Sequence, residues 1–292
     1  MNNPDISQEE LIARRKINTI GFFDRVASQY DRTGPRFFSY FGQRMVLSAQ
    51  ISAGENVLDV AAGRGAVFFP AAQAVGATGN LIGVDLSGQM VRELGQEAQR
   101  LGIENVQVLE MDAEKLQFPD ASFDVVLCGF ALFFFPQLER SLAEMMRVLK
   151  PGGRIAVSTW DESMDQHWEW FYRAVQAHLS VNPTEKPVPA RPPSNNLDSL
   201  IGLKKILQAA GFGDVQVVFE PHDFVYSSFD EWWAALGMHW TRMALDRIEQ
   251  STGSEGLERF KKDIYEKLGA IRQADGVHQI FPALIAVGTK TT

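Results

Sequence analysis

One stretch, residues 56–66, constrains the fold of this chain more than any other. An apolar run ends at the acidic residue Asp59 and passes directly into a loop of small residues that contains Gly63 and Gly65. The run is typical of a buried strand, and residues 67–75 after the loop are typical of a helix. A strand, a glycine loop and a helix in this order predict a ligand site where the three meet.

The charge beside this loop decides which ligand fits. Glycines let the backbone approach a bound molecule closely, as in many nucleotide-binding folds. A dinucleotide fingerprint would need a third small residue where Phe68 stands, and Asp59 would repel a pyrophosphate at the loop. The pattern therefore favours a ligand with positive charge, such as S-adenosylmethionine (SAM), which has an ammonium and a sulfonium group.

Two further apolar runs predict strands that lead to acidic residues. The first, residues 81–85, ends at Asp85, which follows Gly63 by 85 − 63 = 22 positions. This spacing is near the roughly 20 positions expected before a carboxylate that binds ribose hydroxyls. The second, residues 106–109, leads to Asp112. Each acid alone is more typical of a helix cap or a solvated turn, but three in this order favour a binding site.

The motif from Asp59 to Gly65, with the acids that follow it, resembles the class I SAM-dependent methyltransferases. The resemblance implies an α/β fold with a Rossmann-like, seven-stranded, mostly parallel sheet and helices on both faces. It also implies that Asp85 binds the ribose of SAM, that Asp112 binds the adenine amino group, and that S-adenosylhomocysteine (SAH) is the product. The residues expected in the cofactor site are Tyr30, Asp59, Ala61, Gly63, Gly65, Asp85, Leu86, Met90, Asp112, Ala113 and Cys128.

The segment before this core is rich in aromatic residues. Residues 21–31 resemble the N-terminal segment of the ubiquinone and menaquinone C-methyltransferase group, in which an aromatic helix and a Tyr-Asp pair fold over the SAM site. The resemblance implies that Tyr30 covers the methionine end of the cofactor. The aromatic residues of this segment would equally form the buried stripe of an amphipathic helix, and both interpretations stay open.

The sequence predicts three parts. Residues 1–50 form an N-terminal helical cap segment, of which the first 20 residues fit either a disordered tail or a swapping arm. Residues 51–160 form the SAM-binding core. Residues 161–292 complete the sheet and add helical cap insertions at 161–200 and 228–275, where bulky residues recur at helical spacing.

Composition limits the classes of partner. The chain has 292 residues, 45% of them hydrophobic, which is enough for a large core. Its net charge of −8 gives no broad basic surface for nucleic acid. The predicted fourth strand ends in Cys128-Gly129-Phe130, whereas enzymes that methylate amino groups of nucleic-acid bases have Asp or Asn followed by two prolines and an aromatic residue. A small-molecule acceptor is therefore favoured.

The apolar runs and the cysteine content predict the cellular location of the chain. The longest apolar stretch, residues 125–135, contains a glycine and is well short of the roughly 20 residues that span a bilayer. The polar, acidic start is unlike a secretory leader. The single cysteine, Cys128, cannot form an internal disulfide. We therefore expect a cytoplasmic protein without a membrane span, and the sequence is compatible with a homodimer.

Methyl transfer from a sulfonium needs mainly positioning, but a weakly acidic acceptor also needs a base. His239 is a candidate because it lies among aromatic residues of the expected cap, and His167 because it follows the fifth strand. Tyr30 is the third candidate catalytic residue. A single histidine is more often structural than catalytic. No metal is expected, because the histidines form no H-x-x-x-H pair and the carboxylates are scattered.

These patterns predict a SAM-dependent methyltransferase. The expected acceptor is a small, apolar or aromatic metabolite, methylated at carbon or oxygen by direct displacement without a metal. The competing hypothesis is a SAM-binding protein of the same fold with a regulatory or non-methylating role, such as catalysis of a cyclisation. The sequence leaves both open.

Overall fold

One sheet of eight strands organises the residues that the computed structural model describes, which are 7–179, 196–237, 241–269 and 272–291. The strands are β1 (Asn56–Val60), β2 (Asn80–Asp85), β3 (Val106–Glu110), β4 (Phe123–Gly129), β5 (Leu149–Trp160), β6 (Phe212–Tyr226), β7 (Arg272–Gln273) and β8 (Gly276–Lys290). The helices are α1 (Gln8–Val26), α2 (Phe37–Ala49), α3 (Phe68–Val75), α4 (Gly88–Arg100), α5 (Leu138–Val148), α6 (Met164–His178), α7 (Leu200–Ala209), α8 (Phe229–Leu236) and α9 (Thr241–Leu268).

The strands follow the order β3-β2-β1-β4-β5-β8-β6, and β7 pairs with β8 outside this path. Strands β1 to β5 run parallel, while β8 lies antiparallel between β5 and β6. The predicted Rossmann-like, mostly parallel α/β fold is therefore confirmed. The strand count is eight rather than seven, because Arg272 and Gln273 turn back to pair with Val277 and Gly276 at the start of β8.

Helices cover both faces of the sheet because successive strand residues point to opposite sides. On one face, Leu58 of β1 packs in a cluster with Leu142 of α5 and Leu203 of α7. On the other face, the preceding residue Val57 packs in a cluster with Leu94 of α4 and with side chains of α2 and α3. Helices thus cover both faces of the sheet, and a ligand can reach the strands at their ends.

A third cluster lies beyond these layers and is dominated by aromatic side chains. It joins α2, α6, α8 and α9 to the outer parts of β6 and β8. Its buried members include Phe41, Trp168, Trp232, Phe260 and Phe281. Aromatic side chains therefore hold α6, α8 and α9 against the sheet. From the sequence alone, these side chains could be recognised only as bulky residues at helical spacing.

The first and last helices differ in extent from the sequence expectation. α1 begins after Ser7, which forms a capping box with Glu10, so residues 8–20 are helical and are not a tail. The sequence pattern predicts a second helix of the 228–275 insertion at residues 257–271. In the structure, α9 begins sixteen residues earlier, since 257 − 241 = 16, and it kinks at Gly253, which has φ 72°. Among the described helices, none combines the length and the apolar character needed to cross a membrane.

The chain changes direction within the sheet between β1 and β4. Strands β2 and β3 lie on one side of β1, and β4 and β5 lie on the other. The carboxyl ends of parallel strands form a crevice at such a point. Asp59 at the end of β1 is in register with Leu127 of β4, so the acidic strand end and the glycine loop open into this crevice.

Candidate functional site

Two cavities meet at the carboxyl edge of the sheet. We call the first the acidic cavity, because its wall includes the carboxyl groups of Asp31, Asp59, Asp85, Asp112 and Glu114. The rest of its wall comes from the glycine loop, from the residues that follow β2, β3 and β4, and from α1.

We call the second the aromatic cavity, because rings form most of its wall. It is lined by Phe22, Phe23, Tyr30, Phe38, Phe130, Phe133, Phe134 and Trp160, with Asn18, Thr19 and Met243. None of these described wall residues carries a charged side chain. Six of them, including Tyr30, Phe38 and Phe130, also line the acidic cavity, so the two spaces share a wall.

Asp59 is the most deeply buried of the acids at the strand ends. The residue is 1% exposed, and neither carboxylate oxygen has a hydrogen-bond partner. Burial, and after it the nearby carboxylate of Asp85, raises the pKa of Asp59 well above its usual value. A buried carboxylate of this kind is stabilised only when a cation or hydrogen-bond donors come close to it.

Asp85 is held by the backbone of the glycine loop. Its Oδ2 accepts from the N–H of Gly63 at 2.9 Å, and its Oδ1 accepts from the N–H of Ser87 at 2.9 Å. Burial raises the pKa of Asp85 to about 6, and these N–H groups oppose the rise. Gly63 has φ 53°, and a Cβ there would meet nothing within 4 Å, so the loop leaves open space above this carboxylate.

Gly65 and Cys128 line neither cavity. Gly65 has φ 88°, and a Cβ there would lie 2.5 Å from the ring of Phe69, so this glycine serves the packing of the loop. Cys128 is fully buried in the core of β4, one residue before the cavity-lining Gly129. Burial, and then the charge of Asp59, raises the pKa of the Cys128 thiol. Both positions were expected in the cofactor site, and the structure places them behind it.

Asp112 is tied to α1. Its Oδ1 accepts from the N–H of Glu114 at 2.9 Å, and its Oδ2 lies 2.7 Å from the Nζ of Lys16. Lys16 also pairs with Glu114, which accepts from the N–H of Gln137 at 2.9 Å. Burial would lower the pKa of Lys16, but these hydrogen bonds to carboxylates raise it. The charged lysine therefore joins the first helix to the end of β3 across the acidic cavity.

Tyr30 stands in the wall shared by both cavities. Its ring stacks on Phe38 with centroids 5.4 Å apart and meets the edge of Phe23 at 5.8 Å. Burial, followed by the charges of Asp31 and Asp85, raises the pKa of Tyr30, so the phenol is neutral at physiological pH. A neutral phenol can donate or accept a hydrogen bond at this point, but it does not act as a base.

The rings of the aromatic cavity support one another. Phe130 and Trp160 lie 4.2 Å apart between centroids, and Phe38 meets Phe130 edge-on at 5.4 Å. Phe23 meets Phe134 edge-on at 5.2 Å. Such contacts fix the orientation of the rings and leave an apolar, rigid wall.

Of the two histidine candidates, the structure describes only His167. His167 lies on α6, is half-buried, and lines neither cavity. His239 lies outside the described residues. Within the ranges that the structure describes, no group of three His, Cys, Asp or Glu side chains is placed to hold a metal ion.

The other sequence candidates come together in the acidic cavity. Its wall contains Tyr30, Asp59, Ala61, Gly63, Asp85, Leu86, Met90, Asp112 and Ala113. Sequence reasoning missed Lys16, Asp31 and Glu114. Lys16 and Glu114 are 98 positions apart, so no local pattern signals their contact. Asp31 was visible only as the partner of Tyr30 in the Tyr-Asp pair.

Comparisons with known proteins point to one kind of domain. A family model described as a methyltransferase domain matches residues 58–157. Aklanonic acid methyltransferase DauC of Streptomyces sp. (strain C5) is 41% identical over 137 residues, which are 47% of this chain and 62% of that protein. Nocamycin O-methyltransferase of Saccharothrix syringae is 40% identical over 136 residues, or 47% of this chain and 49% of that protein.

A more distant relative and a solved structure agree with this. Demethylmenaquinone methyltransferase of Listeria welshimeri serovar 6b is 30% identical over 156 residues, 52% of this chain and 66% of that protein. The chain thus spans about half to two thirds of the length of the curated relatives it matches. The YcgJ protein of Bacillus subtilis has the same fold, with a TM-score of 0.56 and 22% identity over 87% of this chain and 99% of that one.

Proposed function

We infer the function of this chain from the premise that its residues 58–157 are a methyltransferase domain of the SAM-dependent class, as the sequence resemblance predicted. The proposed activity is transfer of a methyl group from SAM to a small, apolar or aromatic acceptor, at oxygen or carbon. The observation that carries this proposal is the junction of the acidic cavity with the aromatic cavity at the carboxyl edge of the sheet.

The residues of the acidic cavity fit SAM. The two oxygens of Asp59 are buried without partners, which suits a ligand that carries positive charge. Asp85 would accept from the ribose hydroxyls, and Asp112 from the adenine amino group. Leu86, Met90 and Ala113 add apolar surface for the adenine ring. The donor set therefore agrees with the cofactor, whose sulfonium supplies a methyl group on a good leaving group.

The aromatic cavity supports an apolar acceptor. Eight rings and a methionine line it, so a flat, mostly neutral molecule would bury its faces against them. The relatives are named for aklanonic acid, nocamycin and demethylmenaquinone, all of them small molecules. An acceptor of similar size and apolar character is proposed here.

The described wall of the aromatic cavity contains little that could serve in general acid–base catalysis. Its only titratable side chain is that of Tyr30, which is neutral. The chain would therefore act by holding the acceptor and excluding water, and the acceptor atom would form its bond to the methyl carbon as the bond from carbon to sulfur breaks. An acceptor whose reacting atom needs no strong base to take up the methyl group suits such a site best.

The remaining expectations concern partners and location. The net charge of −8 supports a small molecule over a nucleic acid as acceptor. The buried lone cysteine is compatible with a cytoplasmic location. A homodimer stays a prediction, which light scattering of the purified chain would test.

The test separates transfer from mere binding. The purified chain is incubated with SAM and a panel of phenols, quinols and carboxylic acids that carry fused rings, and SAH and methylated product are measured by mass spectrometry. We expect equal amounts of both from at least one acceptor, and neither from an Asp59→Asn variant. Conversion of an acceptor without formation of SAH would favour the non-methylating alternative.

A further inference from the structure

Asp31 is an acid of the cavity wall for which the sequence patterns predict no ligand. It follows Tyr30 in the loop between α1 and α2, has φ 53°, and is 5% exposed. It lines the acidic cavity but not the aromatic cavity. Its neighbours Tyr30 and Phe38 line both, so Asp31 lies close to the junction between them.

One oxygen of Asp31 has a structural partner. Its Oδ2 accepts from the hydroxyl of Ser39 at 2.8 Å, in the first turn of α2. The N-cap residue of α2, Arg36, makes no capping bond with its own side chain, and its Nε donates to the carbonyl of Asp31 at 3.1 Å. A negative charge is favourable at the amino end of a helix, so Oδ2 explains why an acid or amide is needed here.

The other oxygen has no such explanation. Oδ1 of Asp31 is buried and has no hydrogen-bond partner. Burial raises the pKa of Asp31 to about 6, and the hydroxyl of Ser39 and the charge of Arg36 oppose the rise. The group is therefore mostly ionised at neutral pH, and an ionised oxygen in a buried position requires a donor.

The basic side chains of the cavity wall form ion pairs with acids other than Asp31. Lys16 pairs with Asp112 and Glu114, and Arg64 pairs with Glu93. Asp31 and Asp59 also act on different parts of the wall. The charge of Asp31 raises the pKa of Tyr30 and Tyr226, while that of Asp59 raises the pKa of Cys128. Backbone N–H groups of Phe38 and Ser39 also lower the pKa of Asp31, but its Oδ1 has no hydrogen-bond partner, and a ligand group other than the one near Asp59 can supply that donor.

Building on the function inferred above, we propose that Asp31 binds the α-ammonium group of the methionine part of the cofactor. The sulfur of SAM has to lie at the junction of the cavities, since the methyl group passes from one to the other there. The ammonium is the hydrogen-bond donor of the methionine part, and the adenine amino group is expected at Asp112. A carboxylate beside the junction is thus placed for the ammonium.

The test compares two ligands that differ in the methionine part. SAH carries the ammonium, while 5′-methylthioadenosine keeps the adenosine and the sulfur but lacks it. In calorimetry at pH 7.5, we expect Asp31→Asn to weaken SAH binding at least tenfold and to change 5′-methylthioadenosine binding less than twofold. Asparagine keeps an acceptor for Ser39, so α2 stays capped.

Ser39→Ala is the matched control. It removes the partner of Oδ2 and leaves the charge of Asp31 in place, so we expect a lower Tm with SAH affinity within twofold of the wild type. The proposal is wrong if Asp31→Asn leaves SAH binding unchanged, if it weakens both ligands equally, or if Ser39→Ala weakens SAH binding as much.

The same measurements separate this assignment from the proposed function. A wild-type chain that binds neither ligand would overturn the SAM site, and the role of Asp31 with it. A wild-type chain that binds both, together with an Asp31→Asn variant that binds them equally well, would overturn the role of Asp31 alone.

Discussion

At the scale of single residues, the site is built from carboxylates held in different states. Asp85 has backbone donors on both oxygens, Asp112 has a lysine, and Asp59 has no partner. A carboxylate whose oxygens already have hydrogen-bond donors can orient a ligand. A buried carboxylate without donors is stabilised most by a ligand that carries positive charge. The two states give different expectations for substitutions.

Asp85→Ala is expected to weaken SAH binding at least tenfold. The reason is the loss of charge-assisted hydrogen bonds to the ribose, each of which contributes about 1.5–3 kcal/mol. Isothermal calorimetry measures the effect, and Asp120→Ala is the control, because the side chain of Asp120 is 78% exposed and pairs with Arg147 at the surface. Equal affinities for both variants would remove Asp85 from the site.

Asp59→Asn is expected to stabilise the ligand-free protein while it weakens SAM binding. Burial and the charge of Asp85 raise the pKa of Asp59, so keeping this acid in the fold at pH 7.5 costs free energy that a neutral amide avoids. We expect the free energy of unfolding to rise by about 1–3 kcal/mol. Urea denaturation measures it, and a variant that is less stable than the wild type would contradict the explanation.

At the scale of elements, α1 is the least firmly packed part of the site. Phe22 is its only buried residue among those described, although Lys16, Thr19 and Phe23 form part of the acidic cavity wall. Polar contacts hold the helix: Lys16 binds the acids after β3, and Asp24 accepts from the hydroxyl of Ser87 at 2.6 Å. An element with few buried apolar contacts opens more easily than the sheet beneath it.

Lys16→Ala is expected to loosen α1. With its ion pairs removed, the amides of α1 should exchange with deuterium at least fivefold faster, and bound SAH should dissociate faster, while the Tm changes little. Hydrogen exchange by mass spectrometry and stopped-flow measurements test this. Arg14→Ala, at an exposed position of the same helix, is the control, and the same change in both variants would argue against a specific role for Lys16.

The elements also show what a sequence can predict. The end of β2 at Asp85 was predicted, and the end of β1 was predicted at Asp59, one residue before Val60, because an apolar run that stops at an acid is a local signal. The roles of α1 and Lys16 were not predicted, since their partners lie far along the chain and depend on how the helix is laid over the sheet. Cys128, which the sequence assigned to the cofactor site, lies one position before the cavity-lining Gly129, because alternation along β4 decides which residues face the cavity.

At the scale of the whole molecule, buried acids couple stability to pH. The pKa of Asp31 and of Asp85 is raised to about 6 by burial, so the folded state binds these protons more tightly than the unfolded chain. The resulting stabilisation is complete below the unfolded pKa and is lost as the pH rises through about 6. His278, whose pKa is raised by hydrogen bonds to Asp223 and Asp275, acts in the same direction.

The ligand-free protein is therefore expected to be more stable at pH 5.5 than at pH 7.5. Asp31 and Asp85 would each contribute on the order of 1 kcal/mol to the free energy of unfolding over this interval. Urea denaturation at the two pH values measures the difference in the free energy of unfolding. Asp31→Asn should reduce this difference by the contribution of Asp31. A protein that loses stability on acidification over this range would contradict the raised pKa values.

The position of α1 has a kinetic consequence for the proposed enzyme. One helix contributes to the walls of both cavities, through Thr19 and Phe23, so a displacement of α1 that releases spent cofactor would open the acceptor cavity as well. Each opening exposes both occupants to solvent. An acceptor with two methylatable positions should consequently be modified distributively, with the singly methylated product accumulating in free solution before the second turnover begins.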